Sequence, residues 1–159
     1  MLRSLSTSAR AARRAGLPPK LAAAHDRRPP PQVYASDTVV DRKSRFLGHA
    51  ASVASLGDVA AVVDLLLADK RIARATHPAI YAYRIGTESG SDDGGEAQAG
   101  SRLLALLEQH RVDNAVVVVT RWYGGSQLGA DRFRRINEAG RDAMKAAGLG
   151  TVGVPPCDR

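Results

Sequence analysis

The sequence predicts an α/β domain: a two-layer sandwich with its helices packed on one face of a single sheet. Three observations carry that prediction. Between residues 41 and 150 the apolar residues switch between a period of two and a period near 3.6, in the order β-α-β-α-β-α. Asn114 to Thr120 is an apolar run, β-branched through its centre, the pattern of a strand covered on both sides or central in its sheet. The chain has 159 residues, 44% of them hydrophobic and 25% charged, which gives room for one core plus a tail.

The elements follow in order. Phe46, Gly48 and Ala50 alternate with Arg45, Leu47 and His49, and Val53 follows, which predicts a first strand. Ser55-Leu-Gly-Asp58 has the side chains of a helix start, and Val59, Val62, Val63, Leu66 and Leu67 continue at helical spacing toward Arg74. A second strand fits His77 to Arg84. Thr87 to Gly95 is polar and glycine-rich, the composition of a loop. Leu103, Leu104 and Leu107 mark one face of a helix over Ala97 to His110. After the valine strand, Arg121 to Ala130 is a loop with three glycines. Phe133, Ile136, Gly140, Ala143, Met144 and Ala147 then form one helical stripe, ended by Gly148.

Charge divides the chain unevenly. The formal net charge is +7, and residues 1–31 hold +6 of it, from seven basic side chains against Asp26 alone. The remainder is nearly neutral, so basicity belongs to the tail and not to the domain. Met1 to Ala24 has four arginines, three serines and no acid, a composition shared by mitochondrial presequences and disordered basic tails. Arg27 to Pro31 reads as a stiff extended linker. Residues 1–35 are therefore expected to be tail or presequence, 36–150 the domain and 151–159 a C-terminal tail. Cys157 is alone, which excludes a disulfide framework and a cluster of thiolate ligands. No apolar run approaches the roughly 20 residues of a membrane helix.

Three segments hold side chains suited to chemistry. Gly124 to Gly129 matches G-x-x-x-x-G, but Ala130-Asp131 follows instead of Lys-Ser/Thr, so a nucleotide P-loop is excluded. A tight turn with close backbone approach explains these glycines better. Asp92, Asp93 and Glu96 gather before a helix, where carboxylates satisfy orphan amides; acid/base work or a hard cation is the alternative. A small hydrolase built on Asp92, Asp93 and His77 requires those side chains to converge. No nucleophile elbow, H-E-x-x-H or C-x-x-C pattern is present, so no catalytic residue, metal ligand or cofactor is assigned. Arg121, Trp122 and Tyr123 are residue types that dominate protein interfaces and stack on nucleobases. With Gly124, Gly125 and Arg132 they form the candidate partner-binding surface, and Lys43, Arg45, Arg134 and Arg135 offer a basic rim. Trp122 as a core plug at the strand end is the competing reading.

These segments together resemble the IMPACT family domain, found in eukaryotic IMPACT proteins and bacterial relatives, over roughly Asp41 to Gly148. The specific motifs are Asp92-Asp-Gly, Ala99-Gly-Ser-Arg-Leu-Leu104, Arg121-Trp-Tyr-Gly-Gly125, Leu128-Gly129, Asp131-Arg-Phe133 and Ile136-Asn137. Lys43-Ser44-x-Phe46 and His77-x-x-x-Tyr81 match the weaker early ones. Two positions depart: Gly95 is inserted before Glu96, and Ala130 stands where proline is common. The resemblance does not extend to the separate N-terminal RWD domain of full-length eukaryotic members. It implies a fold like the second domain of ribosomal protein S5, and no enzyme activity. It implies a cytoplasmic regulator of translation in the amino-acid starvation response, restraining by protein binding the kinase that acts on translation initiation factor 2. The alternative is an RNA- or ribosome-binding module, mitochondrial if the tail is a presequence.

Overall fold

Strand alternation sends successive side chains to opposite faces, so a run of valines with no polar interruption needs apolar cover on both. The computed structural model, which describes residues 17–149, meets that need. Its helices are α1 (Pro19–Ala24), α2 (Leu56–Leu67), α3 (Lys70–Ala73), α4 (Ala99–Gln109) and α5 (Asp131–Ala146). Its strands are β1 (Tyr34–Ala35), β2 (Val39–Asp41), β3 (Ser44–Ser52), β4 (His77–Ile85), β5 (Glu88–Asp92) and β6 (Ala115–Trp122). They form one antiparallel sheet in the order β1-β3-β6-β4-β5, with β2 also paired to β3. The valine strand β6 is the centre, as its composition requires.

The α/β class stands, but the helices cover both faces and not one. Val117 and Val119 enter a core with Leu103 and Leu107 of α4 and Ile136, Ala139 and Met144 of α5. Val116 and Val118 enter a second core with Tyr81 and Tyr83 of β4 and Val59, Val62 and Val63 of α2. Each such aliphatic side chain contributes about 1.5–3 kcal/mol on burial, so neither face of β6 is left to water. Helix α2 begins where its cap predicts: the Ser55 hydroxyl accepts from the Asp58 N–H, and Asp58 accepts from the Ala54 N–H at 2.9 Å. It stops at Leu67, short of Arg74, because Asp69 caps a new helix, α3, by accepting from the Arg71 N–H at 2.9 Å.

The sequence expects a disordered tail as far as residue 35, yet the chain packs from Leu17 onward. Pro19 opens α1, and Leu17 and Leu21 are buried in the second core. His25 Nε2 lies 3.1 Å from an Asp64 oxygen, and Arg28 donates to the Ser55 hydroxyl at 2.8 Å and to Asp58 at 3.2 Å. Leu17, just ahead of the helix, and Leu21 within it are the buried apolar anchors, a signal hidden by the surrounding arginines and prolines. Residues 1–16, with most of the expected presequence, and 150–159, with Cys157 and the expected C-terminal tail, lie outside the described residues.

Thr87 to Gly95, expected as loop, contains the edge strand β5, paired to β4 from Tyr81↔Asp92 to Ile85↔Glu88. Its residues Glu88-Ser-Gly-Ser-Asp92 lack β-branched side chains because one side of an edge strand faces solvent. The Tyr83 ring lies against Gly90. On the other edge, Arg42 and Lys43 turn β2 into β3 with φ of 47° and 71°, left-handed values usually left to glycine or asparagine. Ion pairs fix that turn to α5: Arg42 with Asp131, and Arg135 with Asp41 at 3.0 Å. The Arg135 hydrogen bond outweighs desolvation and, with Arg42 adding to it, holds the Asp41 carboxyl below the usual carboxylate range.

Candidate functional site

A proline shapes the site. Pro78 has no N–H to give a ladder, and β4 is irregular against β6 between His77 and Ile80. Thr120 closes the gap by donating its hydroxyl to the Pro78 carbonyl at 2.8 Å. The bulge sets His77 opposite Arg121, the penultimate residue of β6. Sequence spacing alone gives His77 no partner; the bulge supplies one.

The third member comes from the acidic loop. Asp93 acts as the helix cap expected of this cluster, accepting from the N–H groups of Gln98 at 3.0 Å and Gly100 at 2.9 Å. Asp92 accepts from the Gly94 N–H at 2.8 Å. Gly94 and the inserted Gly95, at φ of 57° and 89°, then turn the chain so that Glu96 points inward. Glu96 is only 6% exposed. One of its oxygens lies 2.7 Å from Arg121 Nη1 and 2.9 Å from His77 Nε2; the other lies 2.8 Å from Arg132 Nε. His77 Nδ1 also faces an acceptor, the Gly94 carbonyl, at 3.1 Å. The trio that a small hydrolase would require does not form: Asp92 and Asp93 are engaged with amides, and His77 takes Glu96 instead.

The candidate surface divides between core and solvent. Arg121 is 4% exposed, its guanidinium between the rings of Phe46 at 5.4 Å and Tyr123 at 5.7 Å, so it is not a surface residue. Trp122 is half-buried and donates its indole N–H to the Arg71 carbonyl at 3.1 Å, with Arg45 over its ring. Trp122 packs against the edge of the second core and keeps part of its ring open to solvent. Tyr123 is 46% exposed, and Gly125, Gln127 and Gly129 are exposed beyond it. Arg132 is partly exposed and donates to the Gly129 carbonyl at 2.7 Å, which fixes the end of the loop. Gln127, Leu128 and Gly129 join His77, Glu96, Arg121, Tyr123 and Arg132 around a cavity of about 330 Å³. Nothing in composition or period singles out Gln127, because loop residues carry no burial pattern.

Gly124 holds the loop by absence of a side chain. A Cβ there would stand 2.2 Å from the Lys43 carbonyl carbon, and its N–H donates to the buried Ser44 hydroxyl at 3.1 Å. Gly124→Ala is expected to lower stability by about 1–3 kcal/mol through overpacking, read as an earlier denaturant midpoint. An unchanged midpoint would show that the Arg42–Lys43 turn yields freely.

Among the described residues, no group of three or more His, Cys, Asp or Glu side chains is placed to hold a metal ion. The fold and the site define a mixed α/β domain that presents a glycine loop with an exposed tyrosine over a buried arginine–carboxylate cluster. The Impact N-terminal domain family matches residues 42–144. The protein IMPACT homolog of Saccharomyces cerevisiae is 43% identical over 121 residues, 72% of this chain and 46% of that protein. The protein IMPACT of Homo sapiens is 46% identical over 112 residues, 67% of this chain and 35% of that protein. The solved structure of the two-domain translational regulator Yih1 is 38% identical, with a TM-score of 0.51, covering 76% of this chain and 49% of that one. The chain belongs to the IMPACT family. It spans less than half the length of these relatives.

Proposed function

We propose that this chain is a non-catalytic, cytoplasmic regulator of translation that works by binding a protein partner, and that it restrains the starvation-activated kinase acting on translation initiation factor 2. The similarity to Yih1, a translational regulator, supports the first part. The observation that carries the binding mode is Tyr123, 46% exposed on a loop whose two ends are held by side-chain hydrogen bonds. At the near end, the Tyr123 N–H donates to the Thr76 hydroxyl at 2.9 Å; at the far end, Arg132 holds Gly129. A rigid loop presents an aromatic anchor without an ordering cost on binding. The surface is thus Tyr123, Gly125 and the exposed side of Arg132, not Arg121 and Trp122.

Tyr123→Ala is expected to abolish capture of the partner from cell extract while leaving the melting temperature unchanged. Full capture by that variant would sink the proposal. The second reading, an RNA or ribosome contact, rests on the seven basic residues within 1–31. It predicts that the captured material is RNA, that Tyr123→Ala still takes it, and that capture falls steeply with salt.

A further inference from the structure

The buried polar groups beside the cavity under the Tyr123 loop are spent on one another, with one exception. Arg121 gives Nη1 to Glu96, but its Nε–H is buried and has no hydrogen-bond partner. Buried N–H groups without a partner are rare in folded proteins, and each calls for a reason. Charge is unbalanced at the same place. Two guanidinium groups, Arg121 and Arg132, and the His77 imidazole stand around one carboxylate, Glu96. The cavity therefore keeps a surplus of positive charge, walled partly by the buried Leu128 and by the Tyr123 ring. Such surroundings strengthen electrostatic attraction above its value in water. Its volume of about 330 Å³ admits a small ligand.

We propose that this cavity binds a small oxyanion, a carboxylate or a phosphate, held between the Arg121 and Arg132 guanidinium groups that line it. Guanidinium groups suit this role because their planar forks match the geometry of paired oxygens. Glu96 keeps both arginines in place and lowers the net charge enough that the empty site does not expel them. The oxyanion comes either free in solution or as an acidic side chain of a protein. The inference goes beyond the partner reading: it shares Tyr123 and Arg132 with that surface but concerns the cavity beneath the loop.

The test uses the full chain, ¹⁵N-labelled, with the arginine Nε–H signals followed by NMR as inorganic phosphate replaces chloride at constant ionic strength. The Arg121 Nε–H signal is assigned by its loss in Arg121→Lys. A saturable shift of that signal is expected, and Arg132→Gln is expected to weaken the fitted affinity by roughly tenfold, the loss of one charge-assisted hydrogen bond. Where Arg132→Gln melts early, Arg132→Lys, which keeps the charge but loses the fork, serves with the same direction of effect. A parallel titration with a hexa-glutamate peptide separates the sources: tighter binding than phosphate assigns the site to acidic side chains, weaker binding to a free ion. An Arg121 signal that neither ligand moves, or that chloride moves equally, overturns the proposal. Loss of the partner by Tyr123→Ala is read without phosphate, so either reading can fail alone.

Discussion

Replacing Glu96 with alanine is expected to destabilise the domain by about 3–5 kcal/mol, since breaking a buried ion pair strands the remaining charge. The stranded group is Arg121, whose side chain is 5% exposed and whose nearest compensating oxygen is that of Glu96 at 2.7 Å. Arg132, with 29% of its side chain exposed, turns to water at little cost and adds little to the sum. Glu96→Gln keeps the shape and loses the charge, so its cost falls below that of alanine. Removing both charges in Glu96→Leu with Arg121→Met is expected to recover most of the loss, because the desolvation of two ions disappears with them. Urea unfolding of the intact protein, Glu96→Leu, Arg121→Met and the double variant gives the coupling energy directly. A loss below about 1 kcal/mol in Glu96→Ala would mean that water reaches Arg121 and that the pair behaves like a surface one.

Deletion of residues 1–31 is expected to have the second large effect, because residues from Leu17 onward pack on the domain. Leu21 is fully buried, and its truncation to alanine alone is expected to cost about 2–5 kcal/mol. Deletion also removes Leu17 and the contacts of His25 with Asp64 and of Arg28 with Ser55 and Asp58. It bares the Val59, Val62 and Tyr83 side of the second core. The shorter deletion, of residues 1–16, leaves all of these contacts in place and is expected to melt with the intact protein. Equal melting of the intact chain and the 32–159 fragment would show that α1 rests on the domain without stabilising it. The consequence for localisation work is practical: a presequence test must trim before Leu17, or loss of fold will pass for loss of targeting.

What the sequence disclosed follows from how local each signal is. The β6 valines announced a central strand, and Ser55 and the leucine and isoleucine stripes placed α2, α4 and α5, because those patterns repeat within a few residues. The edges β1, β2 and β5 escaped, being two to five residues long, too short for a period to show. Helix α1 escaped because two leucines cannot outweigh a basic, proline-rich setting in any average of composition. The side on which Trp122 and Arg121 lie depends on the carbonyl of Arg71 and the carboxylate of Glu96, 51 and 25 residues away. Their motif was legible; their burial was not. His77 was set aside for lack of a neighbour in sequence, and strand order gave it one. Pro78 was the local sign available, since a proline near a strand start marks an irregular pairing.

The central place of β6 also governs when the domain is able to form. Strand β3 finds its partner 63 to 77 residues further along the chain, from Ser52↔Ala115 to Arg45↔Trp122. Strand β4 waits for the same segment, and β3 and β4 have no ladder with each other. A ribosome making this protein therefore releases both strands well before their shared neighbour exists. Pairings of such long range lose chain entropy before they return contacts, and they slow the search. Completion is late and concerted, and the contact of Arg121 with Glu96 and His77 arises only once the last strand is seated. An antibody or a fluorophore that senses that cluster would report the finished sheet on a nascent chain, and nothing earlier.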